Sequence, residues 1–178
     1  MYASKKPSMY RMTAIYLIIF IMTYGTLHVL YFMIPDQILR EQIYPLGIIN
    51  ICSDIINLIA PGEKVIGQYN ILQSSKASLE IVRGCDGVGS IMLIISAMVA
   101  FSASFKHKLI GLVTCMIFMY GLNLLRIIGL YFITAYQADW FTTVHTFIAP
   151  TLIIMLGCIF FAWWLTWSSS GYIAKATG

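Results

Sequence analysis

One thiol, one imidazole and one guanidinium carry the chemistry this sequence offers. Cys85 stands in Arg83-Gly84-Cys85-Asp86-Gly87, directly ahead of an apolar stretch. A thiol becomes a strong nucleophile only as the thiolate, a form favoured by a nearby imidazole or cation. His145, which opens a later apolar stretch, can take that proton and return it to a leaving amine, because imidazole titrates near physiological pH. Arg126 falls inside an apolar stretch. A guanidinium stays charged at ordinary pH, so there it must meet a partner, a water pocket or a developing anion, and an oxyanion suits it. Asn123, three residues earlier on the same helical face, can add an amide hydrogen bond. Gly84, Gly87 and Gly89 leave the backbone around the thiol open, as a site admitting a peptide requires. With Asn123, the flanking Arg83 and Asp86 form the candidate substrate-binding set.

Each of these residues has a plainer reading. Cys85 can be a structural thiol, or a disulfide partner of Cys52. Arg126 can satisfy backbone carbonyls or pair with an acid on a neighbouring helix, and His28 competes with His145 for the outer leaflet. Cys115 and Cys158, inside apolar runs, read as small buried hydrophobes. The four cysteines show no C-x-x-C spacing and no His cluster, so the sequence calls for neither a metal nor an organic cofactor. His107 reads as a solvated loop residue, and Trp140, Phe141, Trp163, Trp164 and Trp167 read as interfacial anchors.

The elements that must position these residues follow from composition. Of 178 residues 60% are hydrophobic and 10% charged, with a mean hydropathy of +0.83, far from soluble domains. The expected fold is therefore all-α and integral to a membrane, with about four transmembrane helices: 13–33, 88–105, 109–134 and 146–167. Lys106-His107-Lys108 makes a tight basic turn between the second and third. After the short basic N-terminal segment, the first span reads as a retained anchor rather than a signal peptide. Residues 38–60 are apolar but carry Asn50, Asp54 and Asn57 along one stripe, which fits a helix lying in the interface. A short span over 45–60 is the rival, and it would bury Asp54 at a cost of ~2.5–3.5 kcal/mol. Residues 64–83 alternate as a small β-hairpin around Gln73-Ser74-Ser75-Lys76.

Charge sets the orientation. With four spans, Lys5, Lys6, Arg11, Lys106, Lys108 and Lys175 share one side with no acid among them, and all seven acids fall on the other. Basic residues beside span ends mark the cytoplasmic side, so both termini are cytoplasmic and Cys85 faces outward. Arg126, eight residues before Thr134, then lies ~12 Å below the outer surface. The net charge of +4 is explained by topology and not by a nucleic-acid partner.

Arg83-Gly84-Cys85-Asp86-Gly87 at the head of a span, Asn123-Leu124-Leu125-Arg126-Ile127 late in the next and His145 opening the last together resemble the exosortase/archaeosortase family, over about Pro61 to Trp167. The resemblance implies a membrane-embedded cysteine transpeptidase of the prokaryotic cytoplasmic membrane, with Cys85 as nucleophile and Arg126 and His145 completing the site. It further implies a membrane protein substrate bearing a C-terminal sorting signal, comprising a short motif, a hydrophobic helix and a basic cluster, and an acceptor that includes lipid or glycan. The family commonly has Ser directly after the cysteine, where this sequence has Asp86. A carboxylate beside a thiol opposes the thiolate unless it is turned toward His145 or Arg83. Two other functions fit the residues: a non-catalytic assembly subunit of a secretion or polysaccharide system, and a thiol acyltransferase acting on lipid.

Overall fold

The computed structural model describes residues 9–176, with side chains over 10–168; Lys5, Lys6 and the side chain of Lys175 lie outside these. The first helix, α1 (Met9–Phe32), ends just ahead of Pro35, whose ring disfavours helix in the residue before it. Next come α2 (Asp36–Ile43) and α3 (Pro45–Ile59), bent by 41° where Pro45 removes a backbone donor. Their inner face, with Leu39, Tyr44, Ile49, Cys52 and Ile56, is buried, while Asn50 and Asp54 face outward. The bend reaches toward the middle of the later helix over Phe105–Tyr136, where the Tyr120 hydroxyl donates to the Gly47 carbonyl.

The expected hairpin is a three-stranded antiparallel sheet, β1 (Ile66–Gln68), β2 (Ile71–Gln73) and β3 (Ser78–Glu80), in that order. Residues 65–72 do not form one strand, because Tyr69 adopts φ +53° and turns the chain there. Asn70 then receives the Ile81 N–H on its carbonyl at 2.7 Å and donates its side-chain amide to the Ile81 carbonyl at 2.8 Å. Asn57 exchanges two 2.8 Å bonds with the Val65 backbone and so ties α3 to the sheet.

The helix α4 (Val88–Ala100) has 13 residues and stops short of the predicted Phe105. At 1.5 Å per residue it is ~20 Å long, less than the ~30 Å hydrocarbon core. Phe101 is already extended, and Ser104, in the β region, starts α5 (Phe105–Tyr136) earlier than expected. Lys106-His107-Lys108 is thus the first turn of a helix and not a loop. His107 is half-buried, 2.5 Å from Ser104 Oγ, and its carbonyl accepts from Trp164 Nε1 at 3.1 Å. The last helical run, α6 (Ala138–Ser168), also begins before the predicted 146 and includes a π-helical turn over Val144–Ile148. Trp164 is fully buried rather than interfacial, whereas Cys158 is exposed on the helix face.

Three described helices, Tyr10–Phe32, Phe105–Tyr136 and Ala138–Ser168, are long and apolar enough to cross a membrane, and the bent α2–α3 pair has the length and composition of either a broken span or a re-entrant loop. The protein is an integral membrane protein, predominantly helical, with α4 packed among the long helices. Tyr16 bonds Ser102 at one end of the bundle, and the Arg83 side chain bonds the Tyr31 carbonyl at the other, so α1 and α4 run antiparallel. Two apolar cores stack along the bundle. One joins Ile94 and Met98 to Cys115, Met119 and Trp164; the other joins α2, α3 and the sheet to Ile127, Leu130 and Tyr131. The residues of α5 between these cores include Asn123 and Arg126.

Candidate active site

Cys85 is presented on a loop whose shape two glycines permit. Gly84 (φ +89°) and Gly87 (φ +79°) both occupy the left-handed region, and Cys85 N–H closes a turn on the Val82 carbonyl at 2.9 Å. Gly87 is needed for a second reason: a Cβ there would overlap the Asn123 carboxamide. That amide lies buried against the loop and donates from Nδ2 to the Asp86 carbonyl at 2.6 Å. A helix α5 thereby grips the backbone one residue past the thiol.

His145 reaches the thiol from α6, with Nε2 3.4 Å from Cys85 Sγ. Its other ring nitrogen, Nδ1, is buried without a hydrogen-bond partner. Among the described residues no carboxylate orients the imidazole; instead Phe141, one turn earlier, stacks on it with ring centroids 5.2 Å apart and planes 9° from parallel. Phe141 was expected as an interfacial anchor, yet it packs inward. The π-helical turn at Val144–Ile148 carries His145 itself, and such turns recur at functional positions.

Arg126 approaches from α5 and donates from Nη1 to the Cys85 carbonyl at 3.3 Å. Its Nε is buried and unpartnered, as is Asn123 Oδ1. No acid lies within ion-pair distance of Arg126 among the described residues. The structure thus brings Cys85, His145, Arg126 and Asn123 to one place. Beside them opens a cleft of ≈ 260 Å³ with Gly84, Gly87 and Arg126 in its lining.

Arg83 and Asp86 point elsewhere. The Arg83 guanidinium caps the end of α1, bonding the carbonyls of Tyr31 and Ile34 at 2.8 and 2.5 Å, and pairs with Asp36 at 2.7 Å. Asp86 meets neither Arg83 nor His145. Only 3% exposed, its carboxylate accepts from both Tyr31 and Tyr44 hydroxyls, the latter at 3.0 Å, and from the Val88 N–H at 3.2 Å. The sidewise position explains how a carboxylate can follow the thiol in sequence: its charge is spent on tyrosines and on the first turn of α4. Tyr31 and Tyr44 were not singled out from sequence, where a tyrosine at the end of an apolar run signals only an interface. His28 stays on α1, stacked on Tyr24 and tilted against Phe32. Cys52 is buried in the core that joins α2, α3 and the sheet to α5, and all four cysteines are free, so the thiol at 85 is unpaired.

A family model described as transmembrane exosortase matches residues 14–165, nearly the whole chain. The chain belongs to the transmembrane exosortase family. No curated protein and no solved structure matches it. Cys85, Asn123, Arg126 and His145 all lie inside the span that this exosortase family model covers.

Proposed function

We propose that this exosortase-family protein is a cysteine transpeptidase that cleaves membrane proteins near a C-terminal anchor and transfers the released acyl group, working at the outer face of the membrane. The observation that carries the reading is the 3.4 Å approach of Cys85 Sγ to His145 Nε2 beside an unpartnered Arg126 N–H. His145 removes the thiol proton, and the Cys85 thiolate adds to a backbone carbonyl carbon. The resulting oxyanion is steadied by Arg126, which also holds the Cys85 carbonyl in place. When the C–N bond breaks, His145 returns the proton to the departing amine and leaves a thioester on Cys85. An amine, hydroxyl or water then attacks the thioester, gives its proton to His145 and restores the thiolate. In this reading Asn123 orients the loop through the Asp86 carbonyl, and Arg83 and Asp86 position elements instead of touching substrate.

Orientation is part of the proposal. Arg11, Lys106 and Lys108 sit beside span ends at the end of the bundle away from the thiol, as basic residues do at a cytoplasmic face, which supports an outward-facing thiol end. Replacing Cys85 by Ala or Ser tests the reading in a host that expresses the protein with its sorted substrates. Processing is expected to fall by ~10³-fold or more with folding intact. Unchanged processing would favour a scaffold instead. A fatty acyl group recovered on Cys85 would point to lipid acyl transfer.

A further inference from the structure

The cleft beside the thiol has a composition and a position that go beyond the nucleophile and its partners. Its lining joins Arg126 and the glycine backbone of the Cys85 loop to Leu93 of α4, Ile153 and Ile154 of α6 and Tyr24 of α1. It therefore joins the loop that carries the thiol to apolar side chains of α1, α4 and α6. Ile154 at the rim is 47% exposed on a helix long and apolar enough to span, so the rim meets lipid rather than water. Gly89 leaves room in that lining: a Cβ there would meet nothing within 4 Å. An aqueous ligand gains little from such walls, whereas an apolar polypeptide segment already in the bilayer can slide in without crossing water.

We infer that this cleft is a lateral subsite, through which a membrane-embedded apolar segment of the substrate passes between α1 and α6 to lay its scissile carbonyl against Cys85. The inference rests on the reading of Cys85 as nucleophile but adds the route and the binding surface. Side chains flanking the scissile bond lie against Leu93 and Ile153, while the peptide carbonyl meets the Arg126 end, where a buried N–H lacks a partner. Glycine at 84, 87 and 89 lets backbone approach backbone.

The test uses two alkylating probes on the full chain in proteoliposomes, in a Cys158→Ser background because Cys158 is exposed. N-dodecylmaleimide partitions into the bilayer; iodoacetamide reaches the thiol from water. Ile154→Trp at the exposed rim and Gly89→Leu in the lining are expected to slow dodecylmaleimide labelling of Cys85 about tenfold. Iodoacetamide labelling should stay unchanged, which also reports that the loop is folded. Equal slowing of both reagents, or slowing of neither, would overturn the lateral subsite. Either result is independent of whether Cys85→Ala abolishes processing, so the two readings can fail separately.

Discussion

At the scale of single residues the site depends on a few buried polar contacts that hold a loop. Asn123 is the clearest: it is 2% exposed and its amide meets the Asp86 carbonyl at 2.6 Å. Asn123→Ala leaves that buried carbonyl unpaired, a cost of about 1–3 kcal/mol, measurable as a lower thermal midpoint in detergent together with slower Cys85 alkylation. Asp86 carries a similar load. Removing one hydroxyl donor by Tyr31→Phe or Tyr44→Phe should cost about 1.5–3 kcal/mol, since each bond is made to a carboxylate. If both variants melt with the parent protein, the tyrosine clamp is not what holds Asp86. The reactive types were legible in the sequence because His and Arg are rare in apolar segments and Cys85 stands among glycines and charges at the head of one. The tyrosines were not, since their partners lie 55 and 42 residues away along the chain. Nor was Phe141 legible, because an aromatic at a span end has a common interfacial use.

At the scale of elements the sheet is fastened to α5 by a small polar cluster. Glu63, nearly fully buried, accepts from Lys76 Nζ at 2.7 Å, from Tyr136 and from Tyr131 at 3.0 Å. The Lys76 bond, followed by Tyr136, holds the Glu63 carboxyl below its ordinary range, and the Glu63 bond in turn raises Lys76. A carboxyl lowered by folding stabilises the fold at pH above its unfolded value and ceases to as pH falls through the folded one. Melting in detergent should therefore be flat at neutral pH and decline below about pH 4.5, the ordinary value, with Glu63→Gln less stable at neutral pH and less sensitive to acid. An identical acid response in that variant would move the source to another carboxylate. Element boundaries show where pattern alone falls short. The apolar run 88–105 has no Pro or charge to end it before Lys106, so the helix end at Ala100 was hidden, and Ser104 is the residue that could have disclosed it. The extra strand was hidden because its turn uses Tyr69 and not glycine.

At the scale of the molecule, bundle and sidedness are one question. Hydropathy alone announced a membrane protein, and three long spans with the half-length α4 follow from the same apolar runs. What it did not announce is that the thiol sits at the seam between two cores, where three helices and a loop meet. Orientation is checked with single cysteines in a background where Cys52, Cys85, Cys115 and Cys158 are all replaced by Ala: Ser75→Cys, in the sheet turn, should react with an impermeant maleimide added to intact cells. Lys106→Cys should react only after permeabilisation, and the reverse pattern would invert the topology. The central claim, that the Cys85 thiol forms a covalent bond to a substrate carbonyl, is tested most directly by trapping the intermediate. Acid-quenched protein, digested and read by mass spectrometry, should show Cys85 carrying a substrate polypeptide as a hydroxylamine-labile thioester, absent from Arg126→Ala. Substrate processed at the parental rate by Cys85→Ala, with no adduct at position 85 in the parent, would contradict it.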